Sequence, residues 1–392
     1  MTSGRNPMKD QVAFAGAAST GFTPRNTERS QASLAAEASV KVLRECGLTA
    51  ADVDGICGSS PAANEMQLML GIPDVTWFAN PAIPFVNQVA MAAAAVHSGL
   101  CDVVLAYHTA YRLPWNTLSS LQDPFRRAIP GPGSGGPGPG PDTVSGAVGY
   151  TAWASRYIHD YNVPKEHFGL IAINDRSNAA SNPLAAMKAP LTMDDYLAAR
   201  MIRWPLCLLD MDVPVDGCDA FIITTAERAR DMNLPPVLIN AATLGMTDLC
   251  AEDQTPSLDR HGQHVVVPSL RAKSDFWIDG TDIYYPYDGF TIITLSWFEN
   301  VGYCGRGEAG SFLLDNWDAV NNRIMIGGKV PVNPHGGSLS EGGTQGSGHI
   351  RSAIHQLQGR AGSAQVDGAR TALVTAGGFF FNAQGLSLKA DG

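Results

Sequence analysis

The chain has 392 residues, of which 45% are hydrophobic, and it carries a formal net charge of −10 with a pI near 5.3. This length allows a large buried core, arranged as two domains or as two halves of one compact unit. An acidic chain without a basic run binds phosphate backbones poorly, so we expect no nucleic-acid partner. The N-terminus, "MTSGRNPMKDQVAFAG", lacks a signal-peptide core, and the longest apolar run, "VAMAAAAV", is far shorter than the roughly 20 residues that span a bilayer. We therefore expect a cytoplasmic protein without membrane contact.

The seven cysteines are widely spaced and form no CxxC pair. This pattern excludes a disulfide framework and a cysteine-based zinc site. Of the nine histidines, His261 and His264 are the closest pair, and the polar segment "DRHGQH" favours a solvated loop over a metal site. We therefore expect no metal ion and no bound cofactor.

The first elements alternate between strand and helix. "QVAFAGAA" predicts a buried strand, and "RSQASLAAEASVKVLRECGL" predicts a helix that ends at Gly47. "DGICGS", "VTWFAN" and "DVVLAYHT" predict further strands, with an alanine-rich helix, "PFVNQVAMAAAAVHSG", before the last of them. Because several strands are continuously apolar, the pattern indicates a mostly parallel sheet covered on both faces.

The stretch 127–142, "RAIPGPGSGGPGPGPD", contains too much proline and glycine for a helix or strand. A flexible excursion is favoured over an active-site lid. Helical patterns follow, including "TMDDYLAAR" with Thr192 as a predicted N-cap, so we expect a helical insertion at about 109–205. "CDAFIITTAERARD" then predicts a strand and a helix, and a new strand, "PVLINAAT", starts a second half of similar make-up. We place the halves at 1–231 and 232–392.

In the second half, "DIYYPYDGFTIITLSWFENVGYC" predicts a strand, a turn and a helix. "NRIMIGGKVPVNPHGG" leads into the glycine-rich stretch "GGSLSEGGTQGSGH", and "HIRSAIHQLQG" predicts the helix that follows. "TALVTAGG" is the last predicted strand and runs into a glycine turn.

Several of these stretches, in the same order, resemble the sterol-carrier and lipid-transfer branch of the thiolase superfamily. They are "LTMDDYLAARMIRWPLCLLDMDVPVDGCDAFIITTAERARD", "YDGFT", "NPHGGSLSEG", "HIRSAIHQLQGRAGSAQV" and "TALVTAGG". The resemblance implies an α/β chain with a duplicated, layered α/β/α/β/α fold that is usually dimeric. It also implies that coenzyme A, as part of a thioester substrate, binds between the halves. The segment "SLRAKSDFWIDGTDIYY" is shorter than the helical region that the family has there, which predicts a remodelled face.

The groups that thiolases use are missing from the matching positions. The nucleophilic cysteine falls on Ala82, and the loop histidine falls on Gly343. A second cysteine falls in "VTAGG", at Thr375 and Ala376. The nearest cysteine, Cys101, is better explained by packing at a strand edge. Acyl transfer through a cysteine thiolate is therefore not expected from these positions.

The sequence also resembles the cysteine-free, thiolase-fold aldolases that cleave steroid side chains together with a DUF35-type OB-fold partner. That resemblance implies Tyr287 as an acid–base group, although a buried strand tyrosine with a satisfied hydroxyl explains the residue equally well. Asp288 either orients the phenol or, as its position favours, caps the following helix. His349, at a helix N-terminus, is expected to be neutral and to relay a proton or donate to an oxyanion. The ordinary alternative for His349 is a histidine bonded to the backbone.

Gly343 and Gln345 depart from these aldolases, which have a tyrosine and a histidine there. Gly343 is expected to open space for a bulky substrate, and His335, Tyr303 or a group of the partner are candidate substitutes. The backbone of the glycine stretch suits a thioester carbonyl, although it suits a mobile loop equally well. The expected substrate-binding positions are Gly336, Gly337, Gly343, Gln345 and Gly377.

These features lead to three hypotheses. The first is a carbon–carbon lyase that performs a retro-aldol reaction on a bulky, steroid-like β-hydroxyacyl-CoA. A base would remove the hydroxyl proton, and the enolate left behind would be stabilised and protonated. The second is a non-catalytic acyl-CoA-binding or scaffold subunit of a DUF35-type complex. The third is an acyltransferase of the acetyl-CoA acetyltransferase kind with another nucleophile. A homodimer is expected in each case.

Overall fold

A computed structural model of the chain describes residues 4–24, 28–58, 60–81, 85–111, 145–247, 258–378 and 383–392. Ala82 and the stretch 127–142 lie outside the described residues. The strands are β1 Val12–Ser19, β2 Thr23–Pro24, β3 Gly55–Gly58, β4 Trp77–Ala79, β5 Val103–Ala110, β6 Met201–Arg203, β7 Leu206–Cys207, β8 Val215–Thr225, β9 Val237–Gly245, β10 Ile283–Pro286, β11 Trp317–Asp318, β12 Arg323–Ile326, β13 Val330–Pro331, β14 Thr371–Ala376 and β15 Ala383–Ala390.

The α-helices are α1 Gln31–Cys46, α2 Ala63–Leu70, α3 Phe85–His97, α4 Ser145–Tyr161, α5 Glu166–Ala179, α6 Met193–Leu197, α7 Ala226–Arg230, α8 Gly262–Lys273, α9 Thr291–Val301, α10 Ala309–Asp315 and α11 Ser347–Leu357. A turn of π-helix spans Gly337–Glu341. None of the described helices combines the length and the apolar character that crossing a membrane requires.

One large mixed sheet contains the strands in the order β10-β14-β15-β9-β1-β8-β5-β3-β4, and β2 pairs with β8. The pairs β3–β4, β3–β5 and β10–β14 are parallel. The pairs β1–β8, β1–β9, β5–β8, β14–β15 and β9–β15 are antiparallel. The prediction of a mostly parallel sheet is therefore wrong. A continuously apolar strand indicates that both of its faces are buried, but it does not indicate the direction of its neighbours. Here helices cover both faces of the antiparallel strands as well.

The sheet contains the same strand arrangement twice. In the first set β3 is parallel to β5, β5 is antiparallel to β8, and β8 is antiparallel to β1. In the second set β10 is parallel to β14, β14 is antiparallel to β15, and β15 is antiparallel to β9. The two sets meet where Ala13 pairs with Leu238 and Phe14 with Val237. This repeat supports the halves 1–231 and 232–392, which we retain as a proposal.

Helices α3 and α11 form a middle layer between the two sets of strands. Phe85 and Val89 of α3 share one hydrophobic core with Ile350 and Ile354 of α11 and with strand residues of both sets. Helix α1 covers the outer face of the first set, and α8 covers the outer face of the second. The resulting order of helix, sheet, helix, sheet and helix agrees with the layered architecture expected from the sequence.

Local sequence explains where several helices begin and end. The Ser30 hydroxyl accepts a hydrogen bond from the Ser33 amide at the start of α1, and Gly47 follows the helix with φ at 75°. Glycine adopts this left-handed conformation without steric cost. The Thr192 hydroxyl accepts the amide of Asp195, which confirms the predicted cap of α6.

Three predictions for the second half are wrong. A helix does precede β10. Helix α8 begins at Gly262, upstream of the segment "SLRAKSDFWIDGTDIYY", which was expected to be too short for a helix. His261 is buried and packs edge-on against Trp153, so "DRHGQH" is not a solvated loop. The chain continues beyond the glycine turn into β15, so β14 is not the last strand. Polar residues and Pro268 in α8, and the short serine- and glycine-containing pattern of β15, hide these elements from a reading of apolar periodicity.

Candidate active site

Tyr287 lies at the carboxyl end of the parallel pair β10–β14. Its amide donates to the Thr375 carbonyl (2.8 Å), and its own carbonyl accepts from the Thr294 hydroxyl (3.1 Å). The side chain is 6% exposed, and its ring centroid is 5.8 Å from that of His349. The Tyr287 hydroxyl lies against Gly289, where a Cβ atom would be 2.7 Å from the oxygen. Hydrogen bonds therefore fix the backbone amide and carbonyl of Tyr287, and its phenol points toward the turn that follows.

Asp288 is fully buried and binds three groups of the loop and of helix α11. Its Oδ1 accepts the Ser338 amide (2.8 Å) and lies 2.9 Å from Nε2 of His349, and its Oδ2 accepts the Leu339 amide (2.8 Å). Burial acts to raise the pKa of Asp288, but His349, together with hydrogen bonds from Asp175 and the Ser338 amide, outweighs it, so the pKa lies below its ordinary value. Helix α9 has Phe290 at its N-cap position without a side-chain cap. The predicted capping role of Asp288 is therefore wrong, because the carboxylate faces the glycine loop instead.

His349 lies in the first turn of α11, and its side chain is bonded to Asp288 rather than to the backbone. The ring of His335 is next to it, with centroids 4.6 Å apart. Burial, together with the neighbouring His349 and Arg351, holds the pKa of His335 well below its ordinary value. His335 is therefore neutral near pH 7. The structure brings this candidate substitute into the same cluster as Tyr287 and His349.

Asp175, on α5, lies beneath Asp288. A Cβ atom at Gly337 would overlap the Asp288 carboxylate and would lie 2.8 Å from Oδ2 of Asp175. Burial, followed by the negative charge of Asp288, raises the pKa of Asp175 well above its ordinary value. Asp175 therefore retains its proton at pH values where Asp288 is ionised. Helix α5 thus places a neutral carboxylic acid against the Asp288–His349 pair.

A buried ion network fastens α11 to the first half and to the loop. Nε of Arg351 donates to Asp219 of β8 (2.9 Å), and its Nη2 donates to Glu341 (2.5 Å). Asn182 also donates to Glu341 (2.6 Å). Buried charges are tolerated when they are paired and hydrogen-bonded, as these are. The network fixes the helix that presents His349.

Backbone hydrogen bonds to neighbouring segments fix the glycine stretch in place. Gly336 has φ at 103°, and a Cβ atom there would lie 2.6 Å from that of Ala179. The Gly336 amide donates to Asn333 (2.9 Å), and the Gly343 amide donates to Val213 (2.8 Å). Both amides therefore have acceptors within the protein.

Of the other two predicted substrate-binding residues, Gln345 lies within this stretch and Gly377 follows strand β14. Gln345 is half-buried with φ at 55°, and its carbonyl accepts the amide of Phe85, the first residue of α3. Gly377 is buried after β14, and its carbonyl accepts from the indole of Trp297 (3.3 Å). Tyr303, in contrast, is half-buried and packs against Tyr284, with ring centroids 5.2 Å apart, beside the core of the second half. The structure does not bring this candidate substitute into the cluster of Tyr287 and His349, because its ring packs among aromatic side chains of the second half instead.

The described cysteines are buried or half-buried and unsuited to nucleophilic attack. Burial raises the pKa of the Cys207 thiol to about 11. Burial raises the pKa values of four further thiols to about 12, namely those of Cys46, Cys57, Cys101 and Cys304. It also raises the pKa of the Cys218 thiol. Since the thiolate is the nucleophile, these thiols are unreactive near pH 7. Cys250 lies outside the described residues.

Asp212 is the residue that sequence reasoning missed. Its carboxylate overlaps the place that a Cβ atom at Gly343 would occupy, and its Cγ is 2.9 Å from that place. The expectation that Gly343 opens space is therefore wrong, because another side chain of the same chain fills it. The available signal was the pair of acids in "LLDMDV", of which Asp210 is fully buried whereas Asp212 is half-buried.

Comparisons with known proteins show which family the chain belongs to. Residues 272–389 match a family model described as thiolase C-terminal domain-like. Over 389 residues the chain is 33% identical to 17-hydroxy-3-oxo-4-pregnene-20-carboxyl-CoA lyase of Mycobacterium tuberculosis, with 94% of this chain and 97% of the relative covered. The chain belongs to the thiolase superfamily.

Two further comparisons concern the same group of enzymes. The chain is 31% identical to a steroid side-chain-cleaving aldolase of Thermomonospora curvata, with 97% of this chain and 98% of the relative covered. A solved structure described as the Ltp2-ChsH2(DUF35) aldolase superposes with a TM-score of 0.82 at 29% identity, covering 98% of this chain and 99% of that one. The predicted superfamily and the layered thiolase-like fold are thus confirmed.

Proposed function

We propose that this protein is a carbon–carbon lyase that performs a retro-aldol cleavage of a bulky, steroid-derived β-hydroxyacyl-CoA without a cysteine nucleophile. The observation that carries the proposal is the contact of Tyr287 with the buried His349–Asp288 pair. The relatives named as a steroid acyl-CoA lyase and a steroid side-chain-cleaving aldolase support the same reaction and substrate class.

In the proposed reaction, a base removes the proton of the β-hydroxyl group and the carbon–carbon bond breaks to give a ketone. The leaving thioester enolate is then protonated at carbon. Tyr287 is the proposed acid–base group in contact with substrate. Asp288 fixes the orientation and tautomer of His349, which stabilises the enolate or relays the proton. We retain Gly336, Gly337, Gly343, Gln345 and Gly377 as proposed substrate-binding positions around the thioester.

The two alternatives have less support. A scaffold subunit does not require a buried carboxylate–histidine pair, and buried groups with a shifted pKa, such as Asp288, concentrate at functional sites. An acyltransferase needs a reactive nucleophile, whereas burial raises the pKa of every described cysteine thiol.

The decisive experiment incubates the protein, alone and with a DUF35-type OB-fold protein, with 17-hydroxy-3-oxo-4-pregnene-20-carboxyl-CoA, the compound named for the relative. Chromatography with mass detection should show a ketosteroid and a shortened acyl-CoA in equal amounts. Tight binding of the thioester without either product would favour the scaffold role. A mass increase of the intact protein would favour acyl transfer.

A DUF35-type partner and a homodimer also belong to this proposal. The partner is supported by the DUF35 component of the structural relative. The homodimer is supported by strand β4, which ends the strand order and carries Phe78 at 63% exposure. Exposed apolar side chains on an edge strand are typical of pairing surfaces. The cytoplasmic location stays a prediction from the sequence.

A further inference from the structure

The segment Met211–Val213 crosses between the turn after Tyr287 and the glycine loop. Met211 forms a β-bridge with Phe290. The Asp212 amide donates to the Gly289 carbonyl (3.0 Å), and the Val213 amide donates to the Ser338 carbonyl (3.0 Å). The backbone that carries Asp212 is therefore bonded on one side to the Tyr287 turn and on the other to the loop.

Asp212 and Gly343 fit one another. The Gly343 amide donates to the Val213 carbonyl (2.8 Å), which brings the two chain segments into contact. A Cβ atom at Gly343 would lie 2.9 Å from Cγ of Asp212, closer than side-chain carbons approach one another, and would overlap the carboxylate itself. The space over the Gly343 α-carbon is thus taken by an acid rather than left open.

Asp212 and Tyr287 also border the same turn. The Tyr287 hydroxyl lies over the α-carbon of Gly289, and the carbonyl of Gly289 accepts the Asp212 amide. Asp212 is half-buried, whereas Asp210, two residues earlier, is fully enclosed by bonds from Tyr196, Thr291 and the Cys207 amide. Of these two acids, Asp212 is the one whose side chain is partly accessible to solvent.

We propose that Asp212 supplies the acid–base group for which Gly343 has no side chain, and that its carboxylate accepts the β-hydroxyl proton. This inference rests on the proposed retro-aldol function. The O–H electron pair forms the ketone C=O bond, the carbon–carbon pair moves into the thioester enolate, and the Tyr287 phenol donates its proton to the enolate carbon. The proton held by Asp212 then returns through solvent to the phenolate, so no oxidant or reductant is needed.

The first test compares Asp212→Asn with the wild type, assayed with the same steroid thioester and OB-fold partner. General acid–base groups contribute factors of roughly 100 to 10,000, so we expect kcat to fall at least about 100-fold while KM changes little. The acidic limb of the kcat/KM profile of the wild type should be absent from the residual activity. Asp194→Asn, an exposed acid on helix α6, is the matched control and should retain wild-type kinetics.

A second variant separates chemistry from structure. Asp212→Gly leaves a space beside Gly343, and added formate should restore part of kcat in a concentration-dependent way, which loss of a purely structural carboxylate would not allow. An unchanged kcat in Asp212→Asn, or a loss with neither formate rescue nor an altered pH profile, would overturn the role of Asp212. Wild-type turnover in that case would leave the proposed function intact. Absence of wild-type turnover would instead overturn the proposed function and this inference together.

Discussion

The two halves repeat one strand arrangement but end their parallel pairs differently. In the second half, β10 leads directly into Tyr287 and Asp288. In the first half, β3 ends at Gly58, against which the ring of Tyr107 packs, and the Tyr107 hydroxyl donates to the Pro61 carbonyl (2.6 Å). The same topology thus supports the proposed acid–base site in one half and close packing in the other. The difference arises from the residues that follow the strand, since the pairing is the same.

The outer edges of the two halves also differ. In the first half β4 forms the end of the sheet and exposes Phe78. In the second half the end strand is β10, and it is covered: Val332 bridges Tyr284, and the Asn333 amide donates to the Tyr284 carbonyl (3.0 Å). Among the described residues, the β4 edge is thus left open, whereas the segment that enters the glycine loop occupies the β10 edge.

The largest expected effect comes from Asp288→Asn. It removes the charge that orients His349 and weakens acceptance of the Ser338 and Leu339 amides, so we expect kcat for thioester cleavage to fall roughly 1,000-fold. Asp54→Asn is the control from the first half, because Asp54 also accepts backbone amides, from Asp102 and Val103, but has no histidine partner. Equal losses of kcat in the two variants would remove the functional distinction between the halves.

Tyr287→Phe tests the acid–base assignment with little change of shape. Loss of the phenolic proton should lower kcat by about 100-fold and leave KM nearly unchanged. Tyr284→Phe is matched to it, because the Tyr284 hydroxyl contacts Thr375 (3.2 Å) on the same pair of strands. That control should lose only about 1 kcal/mol of unfolding free energy, measured by denaturant titration. Full activity in Tyr287→Phe would contradict the proposed role.

The open edge of the first half is tested with Phe78→Glu. Loss of a central apolar contact typically costs about 2 kcal/mol of association free energy, so a dimer should dissociate at roughly 30-fold higher protein concentration. Light scattering after size exclusion gives the mass directly. Val320→Glu, at an 89% exposed position of the second half, should leave the mass unchanged. A monomeric wild type would refute the predicted homodimer.

The last prediction concerns the pH dependence of stability. The pKa of Asp175 is raised in the folded state, so its protonated form stabilises the fold at low pH, and that stability is lost as pH rises above about 4 toward the folded pKa. Asparagine resembles the protonated acid. Asp175→Asn should therefore gain stability over the wild type as pH rises, by at most about 1.4 kcal/mol per pH unit. Thermal unfolding at pH 5 and pH 8 measures the difference, and a gain that is the same at both pH values would contradict the raised pKa.

The sequence predicted the elements whose local signals are strong, such as α1 between Ser30 and Gly47 and α6 with its Thr192 cap. It could not predict strand direction, because burial on both faces makes parallel and antiparallel strands equally apolar. The sequence also did not predict α8 and β15, because proline or small polar residues interrupt the regular spacing of their apolar residues.

The site was predictable as a set of residues but not as a set of contacts. Resemblance to the thiolase-fold aldolases identified Tyr287 and His349 as candidates, with Asp288 as the neighbour of Tyr287. The bond between Asp288 and His349, in contrast, depends on how a π-helical turn presents its amides. Asp212 was missed because the residue that it contacts, Gly343, lies 131 positions (343 − 212) later in the sequence. The backbone bond between Val213 and Gly343 brings those positions together.

The fit between Asp212 and Gly343 limits the order in which the two positions can change during evolution. A tyrosine placed at Gly343 alone would meet the Asp212 carboxylate at its first side-chain carbon. Asp212 must therefore shrink or turn away before, or together with, any enlargement of Gly343. A single substitution that enlarges Gly343 should consequently disturb this pair, whereas enlarging Gly343 and shrinking Asp212 together preserves the volume of the site.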